Sequence, residues 1–229
     1  MAEASAPAAE APPPPALPTP LELLGQAIGA IPGVTATTIL LGELVAHVER
    51  ESLLSVMTTL RDDPRFAFEQ MMDLCGVDWP EREKRFDVVY NLLSVSKNQR
   101  VRVIIATELD QTAASVSAIW PSATWWEREV WDLFGIVFTD QPDMRRILTD
   151  YGFEGHPLRK DFPLTGYVEV RYDEDRKSVV YEPVKLTQDW RSFDFLSPWE
   201  GITTLPGDEK VFTERAEERP AVIAPGAKG

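Results

Sequence analysis

The chain has 229 residues and a formal net charge of -14, and 44% of its residues are hydrophobic. That length and hydrophobic content allow one or two domains with a buried core. The acidic balance argues against nucleic acid as a partner, because phosphate binding needs a basic surface. One cysteine and two histidines are too few for a self-contained iron–sulfur cluster or a Cys/His zinc site. No apolar run approaches the roughly 18 residues of a membrane span, so membrane association is expected only through partner subunits.

Residues 1–20 are an Ala/Pro-rich stretch, which favours extended polyproline conformers and has little apolar surface to bury. We therefore predict a disordered tail. The stretch lacks the basic start and apolar centre of a secretory signal, and it has none of the arginines of a mitochondrial transit peptide. A bacterial protein that faces the cytosol fits these features best.

Residues 21–140 are predicted to form an α+β domain. Helical spacing marks two helices, and strand-forming or alternating runs mark two hairpins. The predicted helices cover 21–31 and 49–61, and the predicted hairpins cover 34–41 with 44–48 and 86–92 with 101–105. A less regular stretch at 66–78 begins helix-like and becomes strand-like, and a short helix is predicted at 115–120. Adjacent hairpins mixed with helices favour a mostly antiparallel or mixed sheet with helices packed on it.

The segment from Thr124 to Ile136 predicts a short helix that carries three tryptophans and a phenylalanine beside four charged residues. The charged residues are Glu127, Arg128, Glu129 and Asp132. Thr124 and Glu127 fit a capping box, and Gly135 suits the end of the helix. Aromatic bulk and charge this close together indicate contacts beyond the helix itself, with other loops or with another subunit.

The carboxylates of this helix have two interpretations. Glu129 and Asp132 lie three residues apart on one face, a spacing that could hold a divalent ion or an acid/base pair. The downstream Arg145, Arg146 and Arg159 favour a salt-bridge network instead. We therefore predict no catalytic, cofactor-binding or metal-binding residue in this chain.

A second dense cluster is His156-Pro157-Leu158-Arg159-Lys160-Asp161-Phe162-Pro163. Two prolines that bracket charges predict a rigid loop, which either presents a polar pattern to a partner or braces the fold internally. General-acid chemistry by the histidine is a further possibility, but neither a nucleophile elbow nor a metal-ligand set accompanies it. The predicted subunit-interface residues are therefore Glu127, Arg128, Glu129, Asp132, Arg145, Arg146, His156, Arg159, Lys160 and Asp161.

Beyond about residue 139, prolines interrupt any long element and aromatic residues appear without helical spacing. An aromatic side chain left in water forfeits on the order of 1.5–3 kcal/mol relative to burial. We therefore predict that residues 141–201 form motif-bearing loops and an extended arm, which buries its aromatics against a partner subunit. Residues 202–229 are predicted to be an acidic, flexible tail.

Three motifs in order carry a family resemblance. They are Glu127-Arg128-Glu129-x-x-Asp132-Leu133-Phe134-Gly135-Ile136, Pro142-Asp143-x-Arg145-Arg146-Ile147-Leu148, and Gly155-His156-Pro157-Leu158-Arg159-Lys160-Asp161-Phe162-Pro163-Leu164. With looser agreement over about 21–201, the chain closely resembles the C-type subunit of respiratory complex I, the proton-pumping NADH:quinone oxidoreductase. Gln141 stands where that family usually has histidine, a change that keeps hydrogen bonding and removes an ionisable group.

The resemblance implies a structural subunit of the peripheral arm that holds no cofactor itself. FMN, the Fe–S clusters, NADH and quinone would be held by other subunits of the complex. The implied partners are chiefly the D-type subunit, which helps to form the quinone cavity, and the cluster-bearing B-type and I-type subunits. The implied location is the cytoplasmic side of the bacterial inner membrane. An equivalent subunit of a membrane-bound hydrogenase or ferredoxin-linked complex is the alternative.

Overall fold

The computed structural model describes residues 17–188, in which a five-stranded sheet is the central element. The strands follow the order β1-β2-β5-β4-β3, with β2 and β5 parallel and the other neighbouring pairs antiparallel. These strands are β1 (Val34–Leu40), β2 (Glu43–Val48), β3 (Gln70–Asp78), β4 (Phe86–Ser94) and β5 (Gln99–Thr107). The α+β prediction and the predicted mixed sheet are therefore confirmed.

Three α-helices, a short 3-10 helix at Arg50–Ser52 and two small sheets complete the described chain. The α-helices are α1 (Pro20–Gly29), α2 (Leu53–Asp62) and α3 (Ala123–Phe134), and the further strands are β6 (Ala113–Ala114), β7 (Phe138–Thr139), β8 (Val168–Asp173) and β9 (Ser178–Pro183). Strands β6 and β7 pair in parallel, and β8 and β9 form a separate two-stranded sheet. None of the helices in residues 17–188 has the length and apolar content that a membrane span requires.

One face of the sheet is buried under the helices. Alternate residues of β4 and β5, such as Tyr90 and Val103, are fully buried there, as the period-2 pattern predicts. Helix α1 packs on β1 and β2, and α3 packs on β3. Gly76 of β3 permits the second contact, because a β carbon at that position would lie 2.8 Å from the ring of Phe134.

Three local predictions were wrong. Residues 115–120 form a turn rather than a helix, and residues 67–69, which precede the strand that begins at Gln70, are not helical. Thr124 does not cap α3, because the helix begins one residue earlier and Glu127 binds elsewhere. The proline-rich segment after residue 139 also contains a hairpin, β8–β9, which the irregular aromatic spacing concealed.

The chain divides into two units, one ending at Glu182 and the other beginning at Pro183. The motif loops after α3 thus belong to the same unit as the five-stranded sheet. Residues 1–16 of the tail predicted at 1–20, the tail predicted at 202–229 and the arm aromatics beyond residue 188 lie outside the described residues. The end of the first tail is ordered, because Thr19 caps α1, which begins at Pro20. The partner contacts predicted for 141–201 remain a prediction.

Candidate functional site

The C-terminal end of α3 is where the sequence motifs meet. Gly135 ends the helix with a φ of +77°, the left-handed conformation that glycine adopts without a steric penalty. A β carbon on Gly135 would lie 2.2 Å from the guanidinium of Arg159 and 2.6 Å from the imidazole of His156. Glycine is therefore required here both by the turn of the backbone and by the close approach of the second cluster.

Asp132 is the hydrogen-bonding centre of this site. Its fully buried carboxylate accepts the backbone N–H groups of Ile147, Leu148 and Thr149 at 2.8–3.0 Å. The Thr149 hydroxyl and the Arg146 guanidinium donate to the other oxygen at 2.6 and 2.8 Å. Burial alone would raise the pKa of Asp132, but the hydrogen bonds from residues 147–149 outweigh it and hold the pKa well below its usual range.

Two side chains of the second cluster satisfy free carbonyls at the helix end. His156 donates its Nδ1–H to the carbonyl of Asp132 at 2.9 Å, and Arg159 donates from Nε to the carbonyl of Phe134 at 2.5 Å. The last carbonyls of a helix lack partners within it and carry partial negative charge, so a cation there is favourable. Burial lowers the pKa of His156, which favours the neutral ring in this position.

Arg128 holds the second motif onto α3. Its guanidinium donates to the carbonyls of Arg145 and Arg146 at 3.0 and 3.3 Å and is largely buried. It also lies 5.1 Å from the ring of Trp125, which is a cation–π distance. Arg128 and Asp132 therefore do not pair with each other, although they lie four residues apart on the helix.

A second carboxylate anchors the loop from the side of the sheet. Buried Asp78 at the end of β3 accepts two hydrogen bonds from Arg85, at 2.6 and 2.7 Å, and one from the backbone N–H of Lys160 at 2.7 Å. Arg85 also pairs with Asp161 at 2.9 Å. The hydrogen bonds from Arg85 lower the pKa of Asp78, so the carboxylate stays ionised in its buried position.

Glu127 lies apart from this cluster and binds the segment after β6. Its carboxylate accepts the Ser115 hydroxyl and the Val116 N–H, both at 2.7 Å, and its side chain is inaccessible to solvent. No described cation pairs with it. Burial therefore raises the pKa of Glu127 to about 7, with the two hydrogen bonds opposing the change.

Three of the predicted residues contribute little to the buried network. Glu129 makes no hydrogen bond or ion pair within residues 17–188, and the side chain of Lys160 is likewise unpaired there. Among the described residues, Arg145 pairs only with Asp143, at 2.6 Å, and its side chain is 75% exposed. The predicted salt-bridge network is thus found at Asp132 with Arg146, and Glu129 is not part of it.

Sequence reasoning missed Asp78, Arg85 and Thr149, which are essential parts of the site. Asp78 and Arg85 flank the turn between β3 and β4, and no spacing in the sequence links them to residues eighty positions later. From the sequence, Gln141 is only a departure from the family motif. In the structure it donates to the carbonyl of Thr124 at 3.1 Å and accepts the N–H of Asp143 at 2.6 Å.

The same loops leave apolar side chains in solvent. Tyr151 is 98% exposed and Leu164 is 83% exposed, while Leu148 and Leu158 are about half exposed. We call these four the apolar loop residues. The site therefore has a buried polar interior that shapes the chain and an apolar exterior suited to contact with another protein. The described residues contain no group of three or more His, Cys, Asp or Glu side chains placed to hold a metal ion.

Residues 46–168 match the family model described as Respiratory-chain NADH dehydrogenase, 30 Kd subunit. The chain is 66% identical over 169 residues to the C-type subunit of the NADH-quinone oxidoreductase of Paramagnetospirillum magneticum, an alignment that covers 74% of this chain and 85% of that relative. It is 58% identical over 188 residues to the corresponding NADH-quinone oxidoreductase chain of Rhizobium etli, covering 82% of this chain and 93% of the relative.

A solved structure shares the fold. One chain of the membrane-bound sulfane sulfur reductase, an archaeal respiratory membrane complex, is similar with a TM-score of 0.54 and 26% identity, covering 69% of this chain and 98% of that chain. The relatives named for NADH-quinone oxidoreductase are much more similar, at 66% and 58% identity, so the alternative of a hydrogenase or ferredoxin-linked complex is not favoured.

Proposed function

Because the chain belongs to the family of the 30 Kd subunit of respiratory-chain NADH dehydrogenase, we propose that it is a structural, cofactor-free subunit of the peripheral arm of NADH:quinone oxidoreductase. In this role it braces the neighbouring D-type subunit, which helps to form the quinone site, and it lies near the B-type and I-type subunits. The complex passes electrons from NADH through FMN and Fe–S clusters to quinone. This chain lies on the cytoplasmic side of the inner membrane and is attached to the membrane only through its partner subunits.

One observation carries the proposal: four polar motif residues around the end of α3 are directed inward. Asp132, Arg146, His156 and Arg159 satisfy one another or the end of α3. A reacting group needs access to a substrate, and these groups are committed to backbone and side-chain partners. They give residues 145–162 a fixed shape, which displays Leu148, Tyr151 and Leu158 at the surface, and Leu164 follows two residues later. A rigid apolar surface is what a permanent subunit interface uses.

The proposal is tested on the apolar loop residues, because they are exposed and not part of the buried network. Leu158→Glu places a charge where a partner would bury a leucine, and Leu109→Glu is the matched control, since the two leucines are 48% and 50% exposed. We expect Leu158→Glu to lower the amount of assembled complex in membranes at least several-fold. Leu109→Glu should leave assembly unchanged, and both isolated chains should unfold at the same temperature as the wild type.

Normal assembly and normal NADH:quinone activity with Leu158→Glu and Leu164→Glu together would contradict the proposal. The claim that this chain holds no cofactor has a separate test. In the purified full-length chain we expect neither flavin absorbance nor stoichiometric iron and acid-labile sulfide. A stoichiometric amount of either would overturn that claim.

A further inference from the structure

The free edge of strand β1 has an unusual composition. Strand β1 is at one end of the five-stranded order and pairs only with β2 in the described structure. Its seven residues, Val34 to Leu40, contain no charge and no proline, and five of them are exposed. Proteins usually protect such an edge with charged side chains, proline or a covering element, because its unpaired backbone groups accept any extended chain.

The opposite edge of the same sheet is protected in the usual way. Strand β3 carries the charged Asp73, a bulge interrupts its pairing between Met71 and Asp73, and the loop at Lys160 binds Asp78 at its end. A bulge at Thr35 disturbs only the first part of β1, and the other residues pair regularly with β2. The two edges of one sheet therefore differ, and only the β1 edge is left suitable for pairing.

The turn at the end of β1 identifies which backbone groups are unpaired. Leu40 and Glu43 face each other across a two-residue turn, so they form the closing hydrogen-bonded pair of the hairpin. Hydrogen-bonded and non-bonded positions alternate along an antiparallel pair. Thr38 therefore bonds to β2, whereas the N–H and C=O groups of Thr37 and Ile39 point away from it.

The tip of the same hairpin is apolar and exposed. Ile39 and Leu40 are 43% and 46% exposed, and Leu41 is 94% exposed with a φ of +51°. A leucine in the left-handed region is strained, and its side chain here gains nothing from burial within the described chain. An apolar tip next to an unpaired edge offers a second strand both backbone hydrogen bonds and apolar contact.

We propose that the β1 edge receives an extended segment of a neighbouring subunit of the same complex by strand addition, an inference that rests on the proposed function. A strand contact over the seven residues of β1 is about 23 Å long and about 4.8 Å wide, the spacing between neighbouring strands. The covered strip is therefore on the order of 100 Å². That is far below the roughly 1,000 Å² that a free-standing interface needs, so the edge alone does not hold two copies of this chain together. A segment of a subunit that is held elsewhere in the complex binds at high effective concentration and needs no such area.

The chemistry of the edge defines the segment. Its pairing residues are uncharged, free of proline and rich in β-branched or apolar side chains, because they lie against Thr37, Ile39 and Leu41. Residues that flank the pairing stretch are basic rather than acidic, because this chain has a net charge of -14.

Amide hydrogen exchange on the wild-type chain tests this assignment directly. In the isolated full-length chain, the N–H groups of Thr37 and Ile39 should exchange fast, while those of Thr38 and Leu40 should exchange slowly. In the assembled complex, exchange at Thr37 and Ile39 should slow at least about tenfold. Equally fast exchange at both positions in the complex would overturn the inference.

The same data separate this inference from the proposed function. Slow exchange in residues 145–164 of the complex, with fast exchange at Thr37 and Ile39, refutes only the strand addition. Unchanged exchange in both regions refutes the proposed interface as well.

A pair of variants provides the second test. Ile39→Pro removes one outward N–H and no hydrogen bond to β2, a position that an edge strand tolerates, whereas Ile39→Ala removes the side chain and keeps the N–H. We expect Ile39→Pro to lower assembled complex at least threefold below Ile39→Ala. Equal assembly of the two variants contradicts the inference. If Ile39→Pro unfolds more easily than Ile39→Ala, the exchange measurement on the wild-type chain decides the question.

Discussion

The carboxylate of Asp132 accepts both the hydroxyl and the backbone N–H of Thr149, at 2.6 and 2.9 Å. This relationship joins the last turn of α3 to a loop that has no regular secondary structure. With the N–H groups of Ile147 and Leu148 on the same carboxylate, the loop acquires the hydrogen bonds that a strand would otherwise provide.

Replacing Asp132 with asparagine should destabilise the chain strongly. The amide group would face backbone N–H groups with its own donors, and Arg146 would lose its buried partner. Removing one member of a buried pair costs about 3–5 kcal/mol, which urea unfolding of the isolated chain would measure. Asp143→Asn is the matched control, because its pair with Arg145 is exposed, and it should cost much less. Equal losses for the two variants would contradict the central role of Asp132.

The buried Glu127 should give the chain an unusual pH dependence. Its folded pKa, about 7, lies above the usual value of 4.5, so the folded state keeps a proton that the unfolded state has already released between these values. Its contribution to stability is fully present below pH 4.5 and is lost as pH rises through 7. We expect this group to lower the free energy of unfolding by on the order of 3 kcal/mol from pH 4.5 to 8.

Glu127→Gln tests that dependence, because an amide does not titrate in this range. Urea unfolding at pH 5.5 and pH 8 should show that the decrease between these pH values is much smaller in the variant than in the wild type. Parallel decreases in the two proteins would show that Glu127 titrates normally in the folded state.

Gly135→Ala should be more costly than Gly152→Ala. The two glycines have nearly equal φ angles, +77° and +75°, so alanine has the same backbone cost of about 1–2 kcal/mol at each. Within the described part of the chain, the new methyl group would meet side chains at Gly135, those of His156 and Arg159, whereas nothing there lies within 4 Å at Gly152. We therefore expect the free energy of unfolding of Gly135→Ala to be about 1–3 kcal/mol lower than that of Gly152→Ala, as measured by thermal unfolding. Equal stabilities of the two variants would show that the loop with His156 and Arg159 moves away from the added methyl group at little cost.

Gly76→Ala should disturb the packing of α3 on the sheet. The added methyl group would lie 2.8 Å from the ring of Phe134, and overpacking of this kind costs about 1–3 kcal/mol. Phe134→Leu in the same chain should recover part of that loss, because leucine leaves room beside β3. A double-mutant cycle measures the coupling, and additive losses would contradict a direct contact.

Local patterns in the sequence predicted the regular elements well. Alternation in β4 and β5 marked their buried faces, and Gly135 marked the end of α3, since both signals depend on neighbouring residues alone. The predicted capping box at Thr124 and Glu127 was wrong because the partner of Glu127 is decided by residues that are not its neighbours in the helix. A carboxylate at that spacing fits either the first turn of its own helix or a distant N–H, and the approach of Ser115 and Val116 decides for the second.

The amino-acid sequence by itself determined the α+β class, the two main hairpins and the family, because these follow from periodicity and from motifs of fixed order. Only the tertiary structure decided the roles of the charged motif residues. Asp132 and Asp78 acquire their partners when chain segments far apart in sequence pack together, and a charged residue looks the same in a sequence whether it faces inward or outward. The exposed edge of β1 was likewise hidden, because the order of strands in a sheet depends on long-range pairing.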